Sequence, residues 1–206
     1  MVARATNPTP VNQQETDLWQ QTWGDPALQR LGRWLTQHDV PEDRAALAVD
    51  RIWIFYSYFV MPELRQRVPV PIVAQSTTPP AVEITLPLTD RAPEQELQAA
   101  FTREVASPLT PDLDMHLSFA PSDGHRLVAF ERSRRSDKRS GTVIIGNFED
   151  RIEDELRTVM APEDVDPWLD TPNTLFHGSR PRQFLDDPTD RRLRDLILAA
   201  KHGLPA

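Results

Sequence analysis

The amino-acid sequence predicts an α+β fold, with an N-terminal helical segment, a small central sheet with a helix on one face, and a compact C-terminal helical domain. Apolar residues recur at helical spacing in the first third of the chain and again after residue 190. Between these regions, runs such as "AVEITLPL" alternate apolar and polar side chains, as half-buried strands do. A chain of 206 residues is long enough to bury a substantial core around such a sheet.

The N-terminal part is predicted to be a tail followed by helices. Residues 1–14 are polar and contain proline, and we interpret them as a flexible tail. Residues 15–68 form the helical segment. Asp25 followed by Pro26 is the pattern of an N-cap with proline at the first helical position. A second helix is predicted to stop at Pro62, because proline lacks the backbone N–H that would continue it.

The middle of the chain is predicted to be a connector followed by a sheet. Residues 69–80 contain four prolines, which disfavours helix and is typical of an extended connector. Residues 81–146 are predicted to form a β-α-β-β-β module. Its strands correspond to "AVEITLPL", "DLDMHLSFA", "HRLVAFER" and "GTVIIGNF", and its helix to "PEQELQAAFTREVA".

Residues 147–206 are predicted to be helical. Asn147 can cap a first helix, and Asp187-Pro188 repeats the cap-plus-proline start for the last one. Gly203 occupies the position of a glycine that ends a helix. Between these helices, Thr171-Pro172-Asn173 is typical of a helix stop followed by a restart.

Composition excludes several classes of function. The net charge of −8 argues against binding of nucleic acid through bulk electrostatics, so DNA binding is not expected. The chain has no cysteine, which excludes disulfides, thiolate metal sites and a cysteine nucleophile. Neither a signal peptide nor an apolar run of membrane-spanning length is present, so we expect no membrane association and a cytoplasmic location.

The sequence contains no convincing catalytic, cofactor or metal site. Its seven glycines form no phosphate-binding loop pattern. Asp112, Asp114 and His116 alternate on one predicted strand face and could approach a metal, but such rows also occur on solvated strand faces. We interpret them as a solvated face and predict no enzyme activity, no catalytic residue, no cofactor and no metal.

A basic segment interrupts this acidic chain. The run "ERSRRSDKRSG", Glu131 to Gly141, carries five cationic side chains, at positions 132, 134, 135, 138 and 139, and could contact phosphates from a hairpin tip. It has no interleaved aromatic residues to stack on bases. We interpret it as a solvated loop, and contact with an acidic partner surface stays an alternative.

The last 55 or so residues resemble a known family. The pattern residues, in order, are Trp168, Leu169, Thr171, Pro172, Asn173, Gly178, Pro181, Leu185, His202 and Gly203. With them the segment resembles the Xre/MbcA/ParS-like toxin-binding domain at the C-termini of bacterial antitoxins. Two features depart from the family: Phe176-His177-Gly178 stands where Leu-Gly-Gly is usual, and no helix-turn-helix signature precedes the domain.

The resemblance implies an antitoxin-like, non-enzymatic binding module whose protein partner is a cognate toxin of the RES type, which consumes NAD. The residues expected to contact that partner lie outside the apolar stripe that the fold must bury. They are His177, Arg180, Arg182, Lys201, His202, Leu204, Pro205 and Ala206. The alternative is an adaptor or scaffold that uses the same C-terminal fold for another protein. A third alternative is an enzyme that uses the Asp112, Asp114 and His116 face, and the sequence leaves a homo-oligomer open.

Overall fold

The computed structural model describes residues 23–64, 67–88, 93–121, 141–149, 151–185, 187 and 190–204. They form the predicted mixed α+β fold, with helices before and after a sheet. The helices are α1 (Pro26–Gln37), α2 (Glu42–Phe55), α3 (Glu94–Phe101), α4 (Ile152–Val159), α5 (Pro162–Asp170) and α6 (Arg192–Lys201). The strands are β1 (Val70–Gln75), β2 (Ala81–Leu88), β3 (Asp114–Pro121) and β4 (Thr142–Phe148).

Within the described part of the chain, the sheet has the strand order β3-β2-β1-β4. β1 is antiparallel to both of its neighbours, whereas β2 and β3 are parallel and are joined by the α3 crossover. The register between β1 and β4 shifts at Ile145, because Val73 pairs with Ile144 and Ile72 pairs with Gly146. Such a bulge leaves one residue outside the ladder and bends the strand. The predicted strand "HRLVAFER" and the basic segment that follows it lie outside the described residues.

The proline-rich stretch 69–80 was predicted to be a connector, and this is wrong for its first half. Val70–Gln75 is an interior strand of the sheet, paired on both sides. Pro71 is tolerated because it lies before the pairing with β2, which begins at Ile72. The remaining residues of the stretch, including Pro79 and Pro80, form the turn into β2.

The start of α1 is confirmed in detail. One carboxylate oxygen of Asp25 accepts the backbone N–H groups of Ala27 and Leu28 at 2.7 and 3.0 Å, and Pro26 follows as the first helical residue. The other oxygen accepts the backbone N–H of Glu149 at 3.1 Å. Burial raises the pKa of Asp25. This side chain therefore caps α1 and also ties it to the end of β4.

The predicted stop of the second helix at Pro62 is wrong, because the chain accommodates the proline inside a longer helix. After α2, a π-helical segment (Tyr56–Val60) leads into a further turn, Met61–Leu64. Proline removes one hydrogen bond and clashes with the carbonyl four residues before it, here that of Tyr58. That carbonyl instead accepts a hydrogen bond from Arg191 Nη2 at 3.2 Å. A side chain near the start of α6 thus satisfies the backbone group that Pro62 displaces.

One cluster of buried apolar side chains includes residues from all parts of this architecture. The sheet contributes the face that carries Ile72 and Ile84, while α2 contributes Trp53 and the C-terminal helices contribute Ile197. Phe148 at the end of β4 packs edge-to-face on Tyr56, with ring centroids 4.9 Å apart. The N-terminal, central and C-terminal segments therefore share one core.

Two predicted helix starts near the C-terminus differ from the structure. Asn147 pairs with Pro71 in the sheet and does not cap a helix, and α4 begins only at Ile152. Buried Phe148 extends the strand past the asparagine. α6 begins at Arg192, whose backbone N–H donates to the Asp190 carboxylate at 3.0 Å, so Asp187-Pro188 does not start it.

The predicted end of α6 is confirmed, since Gly203 has φ +64° directly after the last turn. None of the described helices combines the length and the apolar character that crossing a bilayer requires.

Candidate protein-binding site

The segment that carries the family resemblance forms a compact loop after α5. The helix ends at Asp170, and the Thr171 hydroxyl donates to the carbonyl of Pro167 at 2.7 Å. A 3-10 turn, Thr174–Phe176, follows. A second one, Pro181–Phe184, leads toward α6. The predicted stop and restart around Thr171 is confirmed.

Asn173 closes this loop through its side chain and its backbone. Its carboxamide oxygen accepts the N–H of Leu175 at 3.0 Å, which caps the 3-10 turn. Its backbone N–H donates to the Ser179 carbonyl at 3.1 Å, and its own carbonyl accepts the N–H of Gly178 at 2.9 Å. The ends of the loop are therefore held together by hydrogen bonds within it.

The reversal of the loop occurs at two residues with positive φ. His177 has φ +53° and Gly178 has φ +81°. Glycine adopts this conformation freely, whereas a residue with a β-carbon is strained in it. Histidine stands where the resembling family usually has the first of two glycines, so the chain keeps the turn and adds an exposed imidazole to it.

An aromatic cluster supports the loop from below. The buried ring of Phe176 stacks on Phe184 with centroids 5.4 Å apart and meets the edge of Trp168 at 6.1 Å. The guanidinium of Arg192 lies 4.2 Å from the centroid of Phe184 and pairs with Asp190. The hydrogen bond from Arg192 lowers the pKa of that carboxyl.

Arg182, predicted to contact a partner, is exposed and also links the loop to α5. Its Nε donates to Asp170 Oδ1 at 2.7 Å and its Nη2 donates to Asp166 Oδ1 at 2.8 Å. The hydrogen bond from Arg182 lowers the pKa of Asp170. This double pairing holds the second 3-10 turn beside the helix at the surface, where 41 % of the Arg182 side chain stays exposed.

The exposed side chains of the loop include Leu175, His177 and Arg180. His177 and Arg180 are exposed, as predicted. Leu175, which the sequence analysis did not select, is 49 % exposed between the asparagine cap and the turn. The exposure of Leu175 could have been predicted from its neighbour Phe176, because adjacent side chains of a short turn point in different directions and Phe176 takes the buried one.

Lys201 was predicted to be an exposed partner contact, and the structure corrects this. Its side chain is 7 % exposed and pairs with Glu155, which is 2 % exposed. The ammonium also lies 4.0 Å from the ring centroid of Trp23 and 5.2 Å from that of Trp53. The apolar stripe of α6 does not reveal this arrangement, because the acidic partner lies on α4.

The described residues after Lys201 lie at the surface. His202 Nε2 lies 3.8 Å from Asp50 Oδ1, and Leu204 is 61 % exposed. Burial raises the pKa of Asp50, while the charges of His202 and Lys201 oppose this effect. Pro205 and Ala206 lie outside the described residues.

The side chains of Asp112, Asp114 and His116, considered above as a metal or catalytic site, do not converge on one point. Asp112 lies before β3 and pairs with Arg44 at 2.6 Å, away from its predicted companions. Asp114 and His116 lie 2.9 Å apart on β3, and more than half of each side chain is exposed. In the described part of the chain, no group of three or more histidine or acidic side chains is arranged to hold a metal ion.

Comparison with known proteins adds no relative to this description. The chain matches no family model, no curated protein sequence and no solved structure.

Proposed function

We propose that the chain is a non-enzymatic protein-binding module that docks a partner through the loop Thr174–Arg180. The observation that carries this proposal is an exposed leucine, Leu175, beside exposed His177 and Arg180 on a loop closed by its own hydrogen bonds. A fixed backbone lowers the entropy lost on binding. Arginine is enriched at the centres of protein interfaces, and the exposed leucine beside it adds apolar surface that a partner can bury.

The proposed partner is a cognate toxin of the RES type, which consumes NAD, and the proposed location is the cytoplasm. Both follow from the sequence resemblance of the C-terminal segment to antitoxin toxin-binding domains. The proposed contact surface is slightly smaller than the sequence suggested, because Lys201 is buried in an ion pair, whereas exposed Arg182 stays part of it beside the loop. It consists of the loop residues, with His202, Leu204 and the two residues that follow as a second contact.

The adaptor or scaffold function is the second candidate, and the anchoring of the tail favours it. An inhibitor that blocks an active-site cleft with its C-terminal end needs free chain there. Here α6 is held as far as Lys201 by a buried ion pair, and His202 lies beside Asp50. The loop alone is sufficient for docking without inhibition.

The test is co-purification of the full chain with the product of the adjacent open reading frame. We expect Leu175→Ala and Arg180→Ala each to weaken binding about tenfold, since central interface residues contribute about 1–2 kcal/mol or more. The matched control is Leu88→Ala, which shortens an exposed leucine on β2. Equal binding by all three variants would refute the loop as the docking surface.

Measurement of cellular NAD separates the two candidate functions. An antitoxin restores NAD and growth when it is co-expressed with the partner. Binding without restoration assigns the chain to the adaptor class.

A further inference from the structure

A cavity between α1 and β4 lies apart from the proposed docking loop. It has a volume of about 260 Å³ and is lined by Arg30, Arg33, Trp34, Gln37 and Val143–Ile145. Arg30, Arg33 and Gln37 follow one another at intervals of three and four residues. They therefore form a row on one face of α1. The helix supplies polar donors to the cavity, and the strand supplies an apolar wall.

The guanidinium of Arg30 is fixed in position by the bulge in β4. Its Nε donates to the carbonyl of Ile145 at 2.6 Å, at the residue that the bulge leaves outside the ladder. Gly146, with φ +138°, leaves the space for the rest of the group, because a β-carbon there would lie 2.3 Å from Arg30 Nη2. Only Nε is used in this contact, and the terminal N–H groups stay available.

Arg33 is held in a similar way. Its Nε donates to the Gln29 carbonyl at 3.3 Å, within α1. Across the described residues, neither Arg30 nor Arg33 forms an ion pair with a carboxylate, whereas Arg44, Arg51, Arg67, Arg103, Arg151, Arg157, Arg182 and Arg192 all do. Two arginines without a carboxylate ion pair therefore lie one helical turn apart, in a chain of net charge −8.

The carboxylate of Asp25 acts on Arg30 through its charge, but it forms no ion pair with Arg30 or Arg33. Its two oxygens are occupied by the backbone N–H groups of Ala27, Leu28 and Glu149. The cavity thus combines two anchored guanidinium groups with unused donors. Guanidinium groups bind carboxylate and phosphate with paired hydrogen bonds.

We propose that this cavity binds the oxyanion group, phosphate or carboxylate, of a small molecule. Arg30 and Arg33 donate hydrogen bonds to the oxyanion, and Gln37 donates a further one from the end of the row. Trp34 and Val143 contact the apolar part of the ligand. The volume is suited to a ligand of metabolite size. This site shares no residue with the docking loop, so its test and that of the proposed function are independent.

The experiment titrates the full chain with inorganic phosphate and, separately, with citrate, at ionic strength held constant with sodium chloride. Backbone amide NMR shifts and thermal unfolding are the readouts. We expect saturable shifts at Val143–Ile145 and along α1, with a matching rise in Tm. A response to phosphate alone identifies a phosphate ligand, a response to citrate alone identifies a carboxylate ligand, and a response to both supports their shared chemistry.

Arg30→Gln and Arg33→Gln should each weaken this binding at least tenfold. Among the described residues, Arg33 donates a hydrogen bond to Gln29 and not to the bulge in β4, so its variant tests the charge without removing the contact that Arg30 makes. Arg103→Gln is the matched control, because it removes an exposed arginine on a different helix. The proposal is overturned if neither anion gives a saturable response, if both cavity variants bind as tightly as the wild type, or if only an acidic peptide binds.

Discussion

The ammonium group of Lys201 on α6 pairs with the carboxylate of Glu155 on α4 in a position from which water is almost excluded. The two indole rings of Trp23 and Trp53 lie beside the cation. The backbone N–H of Gly24 donates to the other oxygen of Glu155 at 3.2 Å. One ion pair thus joins the residues before α1, the C-terminal end of α2, α4 and α6.

We predict that Lys201→Met destabilises the protein by about 3 kcal/mol, because removal of one partner leaves a buried carboxylate without its cation. Urea unfolding followed by circular dichroism measures the loss. Replacing both charges, with Lys201→Met and Glu155→Leu together, should cost less than Lys201→Met alone, because no buried charge is then left. A single variant as stable as the wild type would show that the pair contributes nothing.

The same geometry predicts that removal of residues 201–206 reduces stability as well as any binding by the tail. A shorter deletion, of residues 204–206, keeps the ion pair. We expect it to leave Tm nearly unchanged, because Leu204 is exposed and terminal residues contribute little to folding. Equal losses of Tm in the two truncations would contradict this assignment.

The largely buried carboxyl group of Asp50 predicts how the stability of the fold changes with pH. Burial raises the folded pKa of Asp50 above its usual value, so the unfolded state loses its proton first as pH rises. The contribution of this group to stability is therefore full below about pH 3.8 and is lost as pH rises through the folded pKa. Asp50→Asn should accordingly stabilise the protein at pH 7, and this gain should shrink toward pH 4. Unfolding curves at several pH values measure it, and a gain independent of pH would rule out titration of Asp50 as its source.

Tyr58 and Asp195 provide a test of the contact between α6 and the π-helical segment. The Tyr58 hydroxyl donates to Asp195 at 2.5 Å, and the guanidinium of Arg191 lies 5.3 Å from the Tyr58 ring centroid. Burial, followed by the bond to Asp195, raises the pKa of Tyr58. We predict that Tyr58→Phe destabilises the protein by about 1–2 kcal/mol, as is typical of hydrogen bonds to charged groups. In a double-mutant cycle with Asp195→Asn, additive losses would show that the two groups are not coupled.

His177 allows binding to be separated from folding. Its φ of +53° is strained for a residue with a β-carbon, so His177→Gly should increase stability by up to about 1 kcal/mol. His177→Ala is the control, because it removes the imidazole and keeps the strain. We expect both variants to weaken partner binding and only the glycine variant to raise Tm. A lower Tm in the glycine variant would indicate that the imidazole stabilises the loop.

Local chemistry in the sequence was sufficient for several features of the fold and of the site. The Asp25-Pro26 helix start, the Gly203 helix end and the turn at Asn173 are all where the sequence places them. These features depend on hydrogen bonds between residues a few positions apart, so a short window of sequence contains the whole cause.

Other features depend on partners that only the fold brings together. Local sequence alone predicts a helix stop at Pro62. The helix continues because Arg191, which lies 133 residues after Tyr58 in the chain, donates to the Tyr58 carbonyl. Local sequence alone predicts that Lys201 is exposed, whereas in the structure Glu155 and two tryptophans surround its ammonium group. In both cases the sequence supplies the group, and its burial and electrostatic partner are set by the packing of helices distant in the chain. Local periodicity contains no information about such partners, and for this reason tertiary structure decided which of the predicted contact residues remain exposed.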